Sequence, residues 1–320
     1  MSNEVIGIDA GGTWIKAGLF ADDLQEIKRV KVASGAERGK EAYVASMAEA
    51  ARELGGAEVV GLSLPGSFDK ERTGVKYSPN VKGLVVGGEG LSLKEIGEKL
   101  RVAKIVSDND AACAALGEWA YGECQADEKK YLLHLTWGTG IGVGLVVEGR
   151  PQYGWEGGHL PFEFDSGDQS WRLSPGADLE EQIAVPALLK QLKRLFEEKG
   201  EEGTRFVAQD FVDDKKLPIL LSQYAAEGDE LARRVVKQAL SGMAWALSSM
   251  AVMAYPDVVT IGGAMMDRDW LLEELREQVS GQVKGILADS LKPEMVQRAT
   301  LGNDAGMIGA ARLARQRFFA

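Results

Sequence analysis

Residues 5–20 read VIGIDAGGTWIKAGLF and residues 132–147 read LLHLTWGTGIGVGLVV. Each is a β-rich apolar run, a turn of glycine and threonine, and a second apolar run, the pattern of two strands folded about a tight turn. Two such hairpins at the heads of two halves of the chain point to two structurally similar lobes. The plainer alternative stays open at this stage, because any two β-hairpins share this outline.

Outward from the hairpins, apolar runs alternate with amphipathic stretches rich in Ala, Leu, Glu and Lys, which predicts an α/β protein. Strands are predicted at residues 5–8, 15–20, 59–64, 104–106, 131–136, 142–147 and 258–261. Helices are predicted at 40–54, 93–100, 111–121, 179–198, 231–254, 270–283 and 305–315. Polar residues 126–130 separate a helix from the next strand, and the hinge between lobes is placed within 116–130.

The chain has 320 residues, enough for about two domains at roughly 150 residues each. With 45% hydrophobic and 27% charged residues, a largely disordered chain is excluded. The formal net charge of −11 disfavours nucleic acid and anionic membrane as partners. Cys113 and Cys124 are the only cysteines, so neither a disulfide framework nor a structural zinc site is indicated. The N-terminal MSNEVIGIDAGG lacks the basic and apolar regions of a secretory signal, and no apolar run approaches the roughly 20 residues of a membrane span, so a cytoplasmic protein is expected. The 39 glycines exceed the ordinary share of roughly 7%, and they gather in a few turns.

The first turn is Asp9-Ala10-Gly11-Gly12-Thr13. Glycines let backbone N–H groups face an oxyanion, and the threonine hydroxyl adds a donor. Asp9 alone would repel phosphate, and it makes sense there if magnesium, or water held by it, lies between the two. The same five residues also make a good hairpin turn. The second turn, Trp137-Gly138-Thr139-Gly140-Ile141-Gly142-Val143-Gly144, runs from strand to strand and lacks the third glycine of a dinucleotide fingerprint. A pair of such turns could hold a triphosphate.

Ser107-Asp108-Asn109-Asp110 precedes a helical run, with more cap-competent residues than one helix start requires. Asp110 in the first turn would be favoured as the carboxylate, which suits a base that takes a proton from a hydroxyl. Glu156-Gly157-Gly158-His159 joins two hydroxyl-binding side chains through glycines, a reasonable polyol site. His134 sits in an apolar strand and reads as a core residue. Gly66 in LPGS and Asn80 in SPN are turn residues, and Ile261-Gly262-Gly263-Ala264 after a strand would let a planar ring lie against bare backbone.

Taken in order, DAGGT, LSLPGSFD, SPN, SDNDAACAALGE, LTWGTGIGVG, GWEGGH, GADLEE, TIGGA and LGNDAGMIGAARLA resemble the ROK family of sugar kinases and regulators, within the actin-like ATPase superfamily that includes hexokinases. The resemblance spans nearly the whole chain. It implies two similar ribonuclease-H-like lobes with a cleft between them, residues 1–116 joined by a C-terminal helix 304–320, and residues 117–303. It further implies that Asp9, Gly11, Gly12 and Thr13 handle magnesium and phosphate, that Gly138, Thr139 and Gly140 form a second phosphate turn, and that Gly262 and Gly263 lie near adenosine. Asp110 matches the family's catalytic base and Asn109 its sugar-contacting neighbour. Glu156, His159 and Glu180 match residues that contact sugar hydroxyls, and Gly66 and Asn80 lie where the family places loops around the sugar.

The implied activity is ATP- and magnesium-dependent phosphorylation of a hexose, with glucose first. Another hexose, an N-acetylated hexosamine, polyphosphate as donor, and a catalytically silent sugar sensor are the alternatives. Family regulators carry a helix-turn-helix ahead of the kinase-like part, for which DAGGT at Asp9 leaves no room, so no nucleic-acid partner is expected. A homodimer is expected from the resemblance alone. One departure matters: many members follow the histidine with a cysteine cluster that binds structural zinc, whereas residues 160–181 here hold no cysteine and Asp178 falls about where the last would be. No zinc is therefore expected, and His159 would be oriented by hydrogen bonds, with Glu163 and Asp165 as candidates.

Overall fold

The protein is described by a computed structural model covering residues 3–78, 81, 84–85, 90–122, 131–161, 176–213, 216–266 and 268–319. The opening hairpin forms as β1 (Val5–Ala10) and β2 (Trp14–Phe20), antiparallel, with Asp9 opposite Lys16. Val5, Ile6, Ile8 and Ile15 are fully buried, so the β-branched residues that favour these strands also build the core. An unpredicted edge strand, β3 (Glu26–Ala33), pairs with β2 and leaves its charged residues in solvent. Helix α1 (Lys40–Glu53) leads to the wholly buried β4 (Val59–Leu64), parallel to β1.

A small sheet of β5 (Ser67–Phe68), β6 (Gly74–Tyr77) and β7 (Leu91–Ser92) follows, then α2 (Leu93–Leu100), whose start is a capping box of Ser92 and Glu95. Strand β8 (Lys104–Asn109) joins β4 in parallel and passes directly into α3 (Asp110–Tyr121). The first sheet thus has the order β3-β2-β1-β4-β8.

The second hairpin supplies β9 (Tyr131–Trp137) and β10 (Ile141–Val147), and β11 (Arg150–Gln152) pairs antiparallel with β10. The helix predicted over 179–198 is broken. It forms as α4 (Leu179–Ile183) and α5 (Val185–Lys199), separated by an extended Ala184. Pro186 explains the break: in a continuous helix its ring would clash with the Gln182 carbonyl and its missing N–H would leave that carbonyl unbonded, whereas in the first turn of α5 the missing N–H costs nothing.

An unpredicted α6 (Leu217–Ala226) precedes the long α7 (Glu230–Ala254), capped by Asp229. Strand β12 (Val258–Gly262), α8 (Asp269–Val279), β13 (Val296–Arg298) and α9 (Ala305–Phe318) complete the chain. Strand β12 is parallel to both β9 and β13, and the second sheet has the order β11-β10-β9-β12-β13. Both sheets therefore list three chain-consecutive strands and then two crossovers in one sequence, so the likeness of the two hairpins extends to the topology of both halves.

The chain divides into two compact units, residues 1–130, 144–153 and 300–320, and residues 131–143 and 154–299. Segments 117–130 and 144–153, assigned to the second lobe on sequence, thus group with the first unit. In that unit α9 lies on β1, β4 and α3. The approach is close: a Cβ on Gly309 would fall 1.7 Å from the Cys113 carbonyl oxygen, and one on Gly61 1.9 Å from that of Ala310. Phe318 packs with Val5, Phe20 and Met307, so the last turn of α9 is docked. The second unit has its own core, in which α7 supplies Val235, Val236, Leu240, Met243 and Leu247 against Leu133, Leu135 and Ile261 of its sheet. Among the described residues, no helix is long and apolar enough to cross a membrane.

Candidate functional site

In the first unit, Asp9, Ser63 and Asp108 stand side by side in register on the adjacent parallel strands β1, β4 and β8, close to their carboxyl ends. That end of an open parallel sheet is where such folds bind ligands. The Ser63 hydroxyl donates to Asp9 Oδ1 at 2.8 Å. Burial raises the Asp9 pKa above the ordinary carboxylate value, opposed by the Ser63 hydrogen bond and by Lys16. A Cβ on Gly306 would sit 2.8 Å from Asp9 Oδ1, so the start of α9 is bare where it meets this carboxylate. The Ser34 side chain and backbone N–H hold the carbonyls of Gly12 and Thr13, at 2.5 and 2.9 Å, while both turn residues are exposed.

Asn109 caps α3 by accepting from the Ala112 N–H at 3.1 Å, and its Nδ2 donates to the Gly66 carbonyl at 3.4 Å. Gly66 needs to be glycine, since its φ is +109° and a Cβ would fall 2.1 Å from the Tyr77 carbonyl oxygen. Asp110 is the first residue of α3 and is exposed, as a base reaching for a substrate must be. Burial, then the charges of Asp108, Asp9 and Asp110, raise the pKa of the Cys113 thiol. Asp108 is matched by Arg72, whose guanidinium lies 3.7 Å from the Tyr153 ring centroid and 4.9 Å from that of Phe68.

In the second unit, the two glycine turns follow neighbouring parallel strands, with Gly262 opposite Thr136 in register. Gly263 has φ of +95°, and a Cβ there would fall 2.2 Å from the Trp137 carbonyl oxygen, so the two turns touch through backbone. The Trp137 indole is fully buried and donates to the Ile183 carbonyl at 2.8 Å, tying the turn to α4. Glu180 of α4 accepts the Ile141 N–H at 2.8 Å, so this predicted sugar ligand braces the phosphate turn. A cavity of about 560 Å³ lies beside Thr139, Glu180 and Lys190.

The Gly157–His159 turn places Gly158 against the Ile141 carbonyl, with Glu156 and His159 exposed. His159 Nδ1 meets Asp178 Oδ2 at 2.8 Å. Its pKa is raised, first by that hydrogen bond and further by the charges of Asp178, Glu180 and Glu156.

Sequence reasoning thus assembles two sets: Asp9, Gly11, Gly12, Thr13, Gly66, Asn109 and Asp110 in one unit, and Gly138, Thr139, Gly140, Glu156, His159, Glu180, Gly262 and Gly263 in the other. Asn80 lies outside the described residues, as do Glu163 and Asp165. The partner of His159 in the structure is Asp178, noticed in the sequence only as the position of an absent cysteine. Ser63 and Arg72 were missed. A lone serine within the apolar run VVGLSL was the available signal for Ser63, whereas nothing local marks Arg72 as the partner of Asp108.

Comparison with known proteins bears on the family and the fold. A glucokinase of Thermotoga maritima is 28% identical over 98% of both chains, and an N-acetyl-D-glucosamine kinase of Photobacterium profundum is 27% identical over 95% of this chain and 97% of its own. A solved structure, a ROK hexokinase from Thermus thermophilus, superposes with a TM-score of 0.74 at 29% identity and 98% coverage of both chains. The family pattern itself matches residues 5–317, and the chain is a member of the ROK family with its actin/hexokinase-like fold.

Proposed function

We propose that this protein is a hexose kinase that transfers the γ-phosphoryl group of ATP to a hydroxyl of glucose. The observation that carries the reading is the exposed Asp110 carboxylate at the first residue of α3, next to Asn109 and Gly66 and on the same sheet end as Asp9. Asp110 takes the proton of the attacking hydroxyl, and the start of α3 favours its ionised form beforehand. Asn109, fixed by its cap and by Gly66, presents an amide to the sugar, and Glu156, His159 and Glu180 contact its hydroxyls. Gly11, Gly12 and Thr13 in one unit and Gly138, Thr139 and Gly140 in the other supply N–H and hydroxyl donors to phosphate oxygens, which offset charge where it builds up. Gly262 and Gly263 leave bare backbone for the adenosine.

Magnesium fits the residues present. No group of three or more His, Cys, Asp or Glu side chains among the described residues could hold a metal alone, but a hard cation that keeps several waters needs only one carboxylate besides phosphate oxygens. Asp9, half-buried and fixed by the Ser63 hydroxyl, would hold it, directly or through water, and the ion would neutralise the phosphates. The protein is read as a cytoplasmic homodimer on the family resemblance, and its net charge of −11 disfavours a nucleic-acid partner.

The similarity to an N-acetyl-D-glucosamine kinase supports a second acceptor class. A coupled assay of ADP release settles the acceptor when run across glucose, mannose, fructose and N-acetylated hexosamines, with polyphosphate replacing ATP in a parallel arm read by sugar phosphate. The expected result is the highest kcat/KM with glucose and ATP, and a fall in kcat of about 10²- to 10⁴-fold in Asp110→Asn with glucose binding kept. Near wild-type turnover in that variant would sink the assignment of the base, and no turnover with any sugar would leave the sensor reading.

A further inference from the structure

The side chain of Asp178 does two separate things. Oδ1 accepts the Glu181 N–H at 2.8 Å and so caps α4, while Oδ2 meets His159 Nδ1 at 2.8 Å. The backbone fixes the same spot: the Leu179 N–H donates to the Leu160 carbonyl at 3.0 Å, and Pro161 bridges Asp178. The carboxylate is therefore held by the helix it caps and by the bridge to Pro161, and the imidazole adapts to it. The structural zinc that the family resemblance would bring does not fit: residues 160–181 hold no cysteine, and both Asp178 oxygens already have partners.

An ionised carboxylate only accepts hydrogen bonds, so the nitrogen facing it must carry the proton. In neutral imidazole this leaves Nε2 as the acceptor. We infer that Asp178 is a positioning residue that holds His159 with its proton on Nδ1 and turns Nε2, as an acceptor, toward a sugar hydroxyl. The inference rests on the proposed sugar-kinase reading for the identity of that hydroxyl, while the tautomer itself does not. It also assigns α4 a double duty, since the helix that Asp178 caps carries Glu180, which braces the second glycine turn through Ile141. The charged groups acting on His159 are Asp178, Glu180 and Glu156, all acidic. Loss of Asp178 leaves the imidazole in a still negative surrounding but frees its tautomer.

The test uses the full chain and its two histidines. Nitrogen-15 spectra distinguish the imidazole tautomers, and His134, held neutral down to about pH 4, is told apart from His159 by titration. Wild-type protein is expected to show His159 protonated on Nδ1, in samples without stoichiometric zinc. Asp178→Asn keeps an oxygen for the α4 cap but turns a donor toward Nδ1. It is expected to move the proton to Nε2, lower the titration midpoint, and raise KM for the sugar about tenfold while kcat changes less than threefold and KM for ATP less than twofold. Asp178→Glu is expected to restore the Nδ1 tautomer and part of the sugar KM. A wild-type Nε2–H tautomer, stoichiometric zinc, or an Asn variant with unchanged tautomer overturns the inference. A switched tautomer with unchanged sugar KM overturns its sugar part. Absence of any sugar phosphorylation by the wild type does the same through the kinase reading, and the tautomer, read without sugar or donor, tells that failure from failure of the dyad.

Discussion

His134 and His159 titrate in opposite directions, and each direction has a visible cause. His134 is sealed in the second unit with Nδ1 at 2.9 Å from Thr260 Oγ1, and its Nε2 has no hydrogen-bond partner among the described residues. Burial pushes its pKa down to about 4, against roughly 6.5 in the unfolded chain. Between these values the unfolded chain binds a proton that the folded one refuses, so folding stability is lost as pH falls from about 6.5 through about 4. The loss amounts to about 3 kcal/mol at 1.36 kcal/mol per unit. Urea denaturation at stepped pH should show this loss in the wild type, and His134→Gln should lack that part of it. An equal slope in both would mean that the imidazole stays accessible to protons. His159 has the reverse sign: its raised pKa adds stability that is present below the unfolded value and is lost as pH rises through the folded one, a small effect for a group nearly half exposed. At this scale the candidate bases and turns were legible because Asn109 and Asp110, or Gly138 and Thr139, are chain neighbours. Asp178 lies 19 positions from His159 and could not be paired with it without the fold.

Among the elements, α9 and α3 define the closest packing. With the Gly309 Cβ position 1.7 Å from the Cys113 carbonyl oxygen, no side-chain rotation can make room, and the backbones must part. Gly309→Ala should therefore destabilise the protein by about 1–3 kcal/mol or more, despite the better helix propensity of alanine. Thermal unfolding measures it, and an unchanged or raised midpoint would show that the two helices can separate at no cost. Strands such as β1, β4 and β12 were legible because they are apolar runs bounded by turn residues. The edge strand β3 was not, since EIKRVKVA keeps most of its residues in solvent and carries little core signal. Strands β5 and β7 have two residues each, too few for any period to show. The break between α4 and α5 was readable in principle from Pro186, but the apolar spacing runs through it and outweighed that signal.

For the whole molecule, the first unit is stitched together from three separate stretches of chain, the last being residues 300–320. The buried Glu118 carboxylate receives the N–H groups of Thr300 and Leu301 at 3.1 and 2.8 Å, which fixes the entry of that last stretch on α3. Met307, Ala311 and Ala314 then cover Val5 and Val59. A chain ending at residue 299 would expose this apolar seam and the carboxylate together, so it should lose the native first unit. Limited proteolysis is expected to degrade residues 1–130 of the truncated chain while sparing the full-length protein, and equal resistance would show that α9 is dispensable. The second unit is sequence-continuous apart from residues 144–153, so it does not share this dependence.

The position of α9 also bears on how the protein is made. The first 130 residues leave the ribosome well before the helix that seals β1, β4 and α3. During most of synthesis the earliest-made sheet must wait with an apolar face uncovered, while the later half, needing nothing from beyond residue 299, can fold first. The order of synthesis thus completes the second unit before the first, and the nascent first unit is the one left with apolar surface to shield.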